Sequence, residues 1–320
     1  MIIASQFIDH WIQKEINKSN TNLLNDSLWI DLVNPSQEEE ALMEHHLGLN
    51  IPTREEMLEI ELSSRLYKEN DVLFMTANMI AQSDSISPNQ DPVTFLITKK
   101  QLITIRYIEP QAFKLFISRL NKMKYIDNAA SLLTELLDVT IDRIADILEL
   151  INHQLESISK SIFQQNGTSN RNYQQLLQQL GINGELTSKI VESLISFNRL
   201  IPFFEQYSII KIEDNEHLRL HTLSKDISSL NEHATFLSHK ISFLLEATLG
   251  MVQIEQNAII KIFSVAAVIF LPPTLIASIY GMNFHFMPEL SWKFGYLIAF
   301  LLMLLSSWLP YRYFRYRKWL

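Results

Sequence analysis

The residues best suited to chemistry lie in one stretch near the end of the chain. Asn257, Ser264, Leu271 and Ser278 stand seven apart, and Ile260, Ala267 and Thr274 hold the companion positions of the same seam; Gly250 and Gln253 begin it one step earlier. Every Ser and Thr of residues 262–280 falls on this seam. Small and hydroxyl side chains on one helix face have two uses inside a membrane. They let helices approach closely, or, when several copies surround an axis, they line a narrow polar passage. The spacing leaves both open. No Asp or Glu interrupts the seam. A passage here would offer neutral oxygens that hydrogen-bond an ion's water shell, not a carboxylate ring that strips or traps the ion.

Other constellations are weaker. His217 and His221 are four apart, with Glu213 and Asp214 beside them, a spacing that can hold a metal on one helix face. No HExxH pattern accompanies them, so exposed helix histidines are expected. The chain has no GxGxxG or GxxxxGK[ST] phosphate loop and no nucleophile elbow. With no Cys, disulfides and thiolate metal sites are excluded. An enzyme or sensor anchored to a membrane would need a catalytic cluster in residues 1–256, and the sequence offers none. No organic cofactor is expected.

The elements that must position the seam follow from hydropathy and charge. Residues 262–280 are 19 residues without a charge, which at about 1.5 Å per residue approaches a hydrocarbon core of ~30 Å. Residues 294–311 form a second uncharged stretch of 18. Lys261 precedes the first; Arg312, Arg315, Arg317 and Lys318 follow the second; Trp292, Tyr296, Trp308 and Tyr311 sit near the ends. By the positive-inside rule both outer flanks are cytoplasmic and the 13-residue link 281–293 faces outward. The net charge of -8 divides into +5 from Asn257 onward and -13 before it. So acidic a body is a poor partner for nucleic acid and a reasonable host for cations.

Upstream, residues 27–32, 72–76, 93–98 and 102–106 read as strands, and 36–47 as a helix with Ser36 as N-cap and Glu39 three residues on. From about Asn128, apolar residues recur at three and four: Leu133, Leu137, Ile144, Ile147, Ile151 and Ile158. A turn is expected at 166–170, a second helix from 172 to 201 broken by a turn near Gly181–Gly184, and a third long helix from Glu216 into the membrane. Met1-Ile2-Ile3-Ala4 is followed by Asp9, His10 and Lys14, without the apolar run of a signal peptide. The expected fold is α+β. It comprises an α/β/α cytoplasmic domain (1–125), a helical bundle and stalk (126–256), and a two-helix transmembrane pore domain (257–320).

The first span ends in Tyr280-Gly281-Met282-Asn283-Phe284, followed by Met287-Pro288-Glu289-Leu290. In this context the sequence resembles the CorA magnesium transporter family. The likeness includes Ile254-Glu255-Gln256-Asn257, Phe270-Leu271-Pro272-Pro273-Thr274 and the terminal Lys318-Trp319-Leu320, as in the enterobacterial branch. Upstream, Trp29-Ile30-Asp31-Leu32, Pro52-Thr53-Arg54-Glu55 and Glu59-Ile60-Glu61 are similar to the family's soluble domain. The resemblance implies a homopentamer in the bacterial inner membrane, with both termini cytoplasmic. It implies influx of Mg²⁺, with Co²⁺ and Ni²⁺ as further cargo, gated by cytoplasmic Mg²⁺. A zinc transporter of the same superfamily is the alternative.

By the same resemblance, Gly281, Met282 and Asn283 form the outer mouth, with Glu289 as its acid. Asn257 forms a polar ring, and Leu271 an apolar constriction able to dewet. Gly281 is expected to let the chain turn tightly out of the helix. Neutral oxygens suit Mg²⁺, which dehydrates reluctantly. Two departures stand out. His285 occupies a position where relatives carry an acid, which removes a negative charge at the mouth. No regulatory acid matches with certainty, and Asp226, Asp84 and Asp91 are the candidates.

Overall fold

The computed structural model describes residues 1–7, 11–17, 20–85, 87–122, 126, 128–163, 172–210, 212–283, 285 and 287–317. The turn expected at 166–170 lies outside the described residues. The chain divides into two compact units, Met1–Leu245 and Glu246–Leu320.

The first unit is built on a seven-stranded sheet of order β2-β1-β3-β7-β6-β5-β4. Its strands are β1 (Ile2–Phe7), β2 (Trp11–Glu15), β3 (Trp29–Val33), β4 (Leu66–Glu69), β5 (Val72–Ala81), β6 (Asn89–Ile97) and β7 (Leu102–Arg106). Among the described residues only β3 and β7 pair in parallel, Trp29 opposite Leu102 and Val33 opposite Arg106; the other neighbours are antiparallel. Three short helices, α1 (Leu23–Asp26), α3 (Arg54–Leu58) and α4 (Leu62–Arg65), and the longer α2 (Gln37–Leu47) interrupt the strands. The predicted start of α2 is present in full. Ser36 caps the Glu39 N–H, and the Glu39 carboxylate returns to the Ser36 N–H at 2.9 Å.

Alternation along the central strands sends side chains to two covered faces. Ile30, Leu32, Ile103 and Ile105 join Leu24, Met43 and Met57 of α1, α2 and α3 in one core. The opposite side chain of β3, Trp29, packs on Phe113 and Phe116 of α5 (Gln111–Leu120), with ring centroids 6.2 and 5.2 Å away. On this second face Asp31 and Arg106 form a buried pair at 2.8 Å, and Thr104 donates to Asp31 at 2.7 Å. Asn78 of β5 exchanges hydrogen bonds with Ser193 and Ser196 of α7 (Tyr173–Tyr207). Helices on both faces make the unit an α/β/α sandwich, as expected.

Three long helices complete it: α6 (Ala129–Phe163), α7, and the part of α8 (Asp214–Tyr280) up to Leu245. The apolar face predicted for α6 is buried. No turn breaks α7 at Gly181–Gly184; the helix is continuous. A Cβ on Gly184 would touch Ile241 of α8 at 3.7 Å, so the glycine lets two helices approach, and their packing outweighs its poor helix propensity. Lys240 donates to Asn152 at 3.0 Å, and Phe163 stacks on Phe243, which fastens α8 to α6.

The second unit contains the rest of α8, a 3₁₀ turn (Pro288–Ser291) and α9 (Gly295–Tyr316). Both helices are long and apolar enough to cross a membrane, and only 6% of the most apolar stretch of each is buried. Core helices of a soluble protein would be mostly covered, so these faces are built for lipid or for other copies.

Candidate functional site

The seam is uncovered in the single chain. Ser264, Ala267, Leu271, Thr274 and Ser278 are exposed, as are Asn257 and Ile260 before them. Positions on the opposite side of α8 are more covered: Val265 is buried, and Ile269, Pro272 and Ile276 are partly so. Ile269 shares a groove with Leu301, Leu305 and Trp308 of α9. Leu271 and Ile269 are two residues apart, about 200° around a helix. The hairpin partner therefore takes the purely apolar face, and the hydroxyl face is left free. Pro272 and Pro273 sit inside the helix. Their rings remove the two N–H donors that the carbonyls of Val268 and Ile269 would otherwise receive. Thr274 donates its hydroxyl to the Phe270 carbonyl at 2.7 Å.

At its outer end α8 closes with Gly281 N–H donating to Ala277 O at 3.0 Å and Met282 N–H to Ile279 O at 3.2 Å. Gly48 is the one glycine with positive φ among the described residues. At Gly281 a Cβ would instead press on the Ala277 carbonyl at 3.2 Å. Met282 and Asn283 are exposed, and the Asn283 side chain makes no hydrogen bond to another described residue. Glu289 is also exposed. Its carbonyl occupies the place where a Cβ on Gly295 would stand, which seats the 3₁₀ turn on the start of α9.

Among the described residues no three His, Asp or Glu side chains converge as a metal site would need. Asp84 is held by Arg143 at 3.1 Å, and Asp91 by Arg54 at 3.3 Å. Arg54 also covers the ring of Tyr107, whose hydroxyl is pushed up to about 12 by burial and by its bond to Glu40. Asp226 has a different setting. It is exposed, and its charge is felt on α6, where Asp142 is pushed above the usual carboxylate range by burial, then by Asp138, and further by Asp146 and Asp226, against the pull of Arg119. Beside them lies a network that the sequence did not reveal. Glu135, buried in α6, meets Arg119 of α5 at 2.5 Å and Arg219 of α8 at 2.7 Å, and Asp138 meets Arg119 at 2.9 Å. The i, i+4 acids Asp138, Asp142 and Asp146 beside the apolar stripe were the available signal. His217 is exposed and lies 3.6 Å from Glu205, not in a metal site with His221.

A hairpin of two candidate spans with one neutral polar face, continuous through α8 with an α/β/α domain, has the architecture of a membrane transport protein. The chain belongs to the CorA-like Mg²⁺ transporter family, whose model matches residues 25–317. It is similar to the magnesium transport protein CorA of Pasteurella multocida, 37% identical over 303 residues, 94% of this chain and 95% of that protein. It is also 37% identical to the magnesium transport protein CorA of Escherichia coli K12 over 295 residues, 92% of each chain. In fold it matches the complete CorA structure from Methanocaldococcus jannaschii, with a TM-score of 0.73 at 18% identity over 100% of this chain and 99% of that one. The family expected from the Gly281-Met282-Asn283 context is the family found.

Proposed function

We propose that the protein is a gated, passive Mg²⁺ influx pathway of the bacterial inner membrane, with both termini cytoplasmic. Five copies surround an axis, and the α8 seam lines it. The observation that supports this best is the free hydroxyl face of α8 opposite the face that takes α9. Hydrated Mg²⁺ enters past Gly281, Met282, Asn283 and Glu289, where five Asn283 amide oxygens accept hydrogen bonds from its water shell. It then passes Ser278, Thr274, Ala267 and Ser264, with Leu271 as the dewetting constriction, and leaves past Ile260 and Asn257. Co²⁺ and Ni²⁺, with hydration shells of similar kind, share the route.

Cytoplasmic Mg²⁺ closes the pathway. Asp226, Asp84 and Asp91 are its candidate ligands, and Asp226 has the strongest setting. Its charge adds to Asp138, Asp142 and Asp146, so a bound divalent cation relieves repulsion there.

The chain has no native Cys, so single cysteines are directly informative. Cysteine at Ser264, Thr274 or Ser278 reacts with water-soluble thiol reagents in the open state. Cysteine at Val265 or Ile276 does not. Labelling on the latter face overturns the assignment. Uptake of Mg²⁺, Co²⁺, Ni²⁺ and Zn²⁺ compared in cells lacking magnesium transport tests the cargo, and Zn²⁺ preference would refute it.

A further inference from the structure

The groove between α8 and α9 ends in unused positive charge. It measures about 590 Å³ and is walled by Ile269, Leu301, Leu305 and Trp308, with Tyr311 at one end. Along α9 the residues Leu301, Leu305, Trp308, Arg312 and Arg315 recur at three and four, so both arginines lie on the stripe that forms the groove wall. The Arg312 guanidinium stands over the Trp308 ring, 5.3 Å from its centroid. Neither Arg312 nor Arg315 forms an ion pair among the described residues, and both are exposed. The last acid of the chain is Glu289, at the other end of α9.

We propose that this groove binds an anionic phospholipid of the inner leaflet. One acyl chain lies against Ile269, Leu301 and Leu305, and the headgroup phosphate is held by Arg312 and Arg315. A basic site between spans on the cytoplasmic side takes anionic headgroups, and the indole of Trp308 belongs at headgroup depth. Arg matches phosphate oxygens with paired donors. A second copy of the chain is the less fitting occupant. It would bring its own basic stripe to the same level, and a ring closed on the seam turns the groove away from its axis. The inference rests on the membrane orientation proposed above.

The test uses full-length protein purified in detergent and given equimolar phosphatidylglycerol and phosphatidylcholine with identical chains. Native mass spectrometry counts the retained lipids. Each arginine near the headgroup contributes roughly fivefold, so the expected preference for phosphatidylglycerol is about 25-fold. Arg312→Gln with Arg315→Gln brings it near one, with assembly and Mg²⁺ uptake measured alongside. A photoreactive acyl chain on phosphatidylglycerol should label peptides within 301–308, and excess phosphatidylglycerol should compete better than phosphatidylcholine. Equal retention of the two lipids, an unchanged ratio in the double variant, or labelling confined to other segments overturns the proposal. Lipid retention needs no transport. In the unsubstituted protein, absent headgroup preference with normal uptake therefore refutes this site alone, whereas absent uptake with preserved preference refutes the transport reading alone.

Discussion

Leu271→Ser is the sharpest test of the seam. In the single chain Leu271 is 65% exposed, although it stands in the middle of the first span. Closing five seams on one axis would bury that surface. Full burial of a Leu side chain stabilises by about 1.5–3 kcal/mol, so covering two thirds of it contributes roughly 1–2 kcal/mol per copy. Summed over the five copies of the proposed ring, the closed constriction would gain about 5–10 kcal/mol from this one position. Moving a two-state equilibrium from 1:99 to 99:1 takes about 5.5 kcal/mol. Serine removes most of the gain and adds a hydroxyl that holds water in the constriction. The variant should therefore conduct at internal Mg²⁺ concentrations that shut the parent. The assay is Mg²⁺ entry into proteoliposomes loaded with a fluorescent indicator and stepped internal Mg²⁺. Ile269→Ser, on the opposite face, is the control and should keep normal shut-off. Normal shut-off in Leu271→Ser, or loss of it in both variants, would refute the assignment of the pore face.

Three further outcomes follow from the same geometry. Asn283→Ala should assemble normally by size-exclusion chromatography yet lose more than tenfold in Mg²⁺ uptake, since each charge-assisted hydrogen bond contributes about 1.5–3 kcal/mol; near-normal uptake removes Asn283 from the mouth. Because burial and the neighbouring acids raise the Asp142 carboxyl, the folded state holds that proton more tightly than the unfolded chain does. Stability contributed there is present at low pH and is lost as pH rises through the raised value, above the ordinary carboxyl pKa of about 4. Asp142→Asn should raise the melting temperature at neutral pH without Mg²⁺ and shrink the stabilisation by added Mg²⁺; a lower melting temperature contradicts the repulsion. Gly181→Ala, where nothing lies within 4 Å of the new Cβ, should raise stability by about 1 kcal/mol in denaturant melts, and destabilisation would point to a break in α7.

What the sequence disclosed was what repeats with a period. Residues 102–106 read as a strand and are β7, and the α6 face is buried as its spacing demands. The seam was legible because a seven-residue step runs unbroken from Gly250 to Ser278 inside one helix, α8. Strands β1, β2 and β4 were not read. Trp11–Glu15 pairs only with β1 and shows three exposed polar residues at its end, so local pattern says little about it. The glycines of α7 suggested a turn because the residue that rewards a bare backbone at Gly184 is Ile241, far along the chain. The Glu135–Arg219 pair spans 84 residues. No window of sequence contains both partners, and only the packing of α6 on α8 brings them together.

The two rims of the sheet bear on how copies meet. Its outermost strands are short, and both end in adjacent opposite charges: Lys14 and Glu15 on β2, Lys68 and Glu69 on β4, all exposed. Charged, brief edges resist the addition of a foreign strand. In the pentamer proposed above, five such domains held close together would otherwise risk zipping their backbones into one continuous sheet. That bond would be slow to undo and indifferent to magnesium. With the rims blunted, neighbours in the proposed ring would meet through side chains alone, and contacts of that kind can separate and re-form within the lifetime of a gating event.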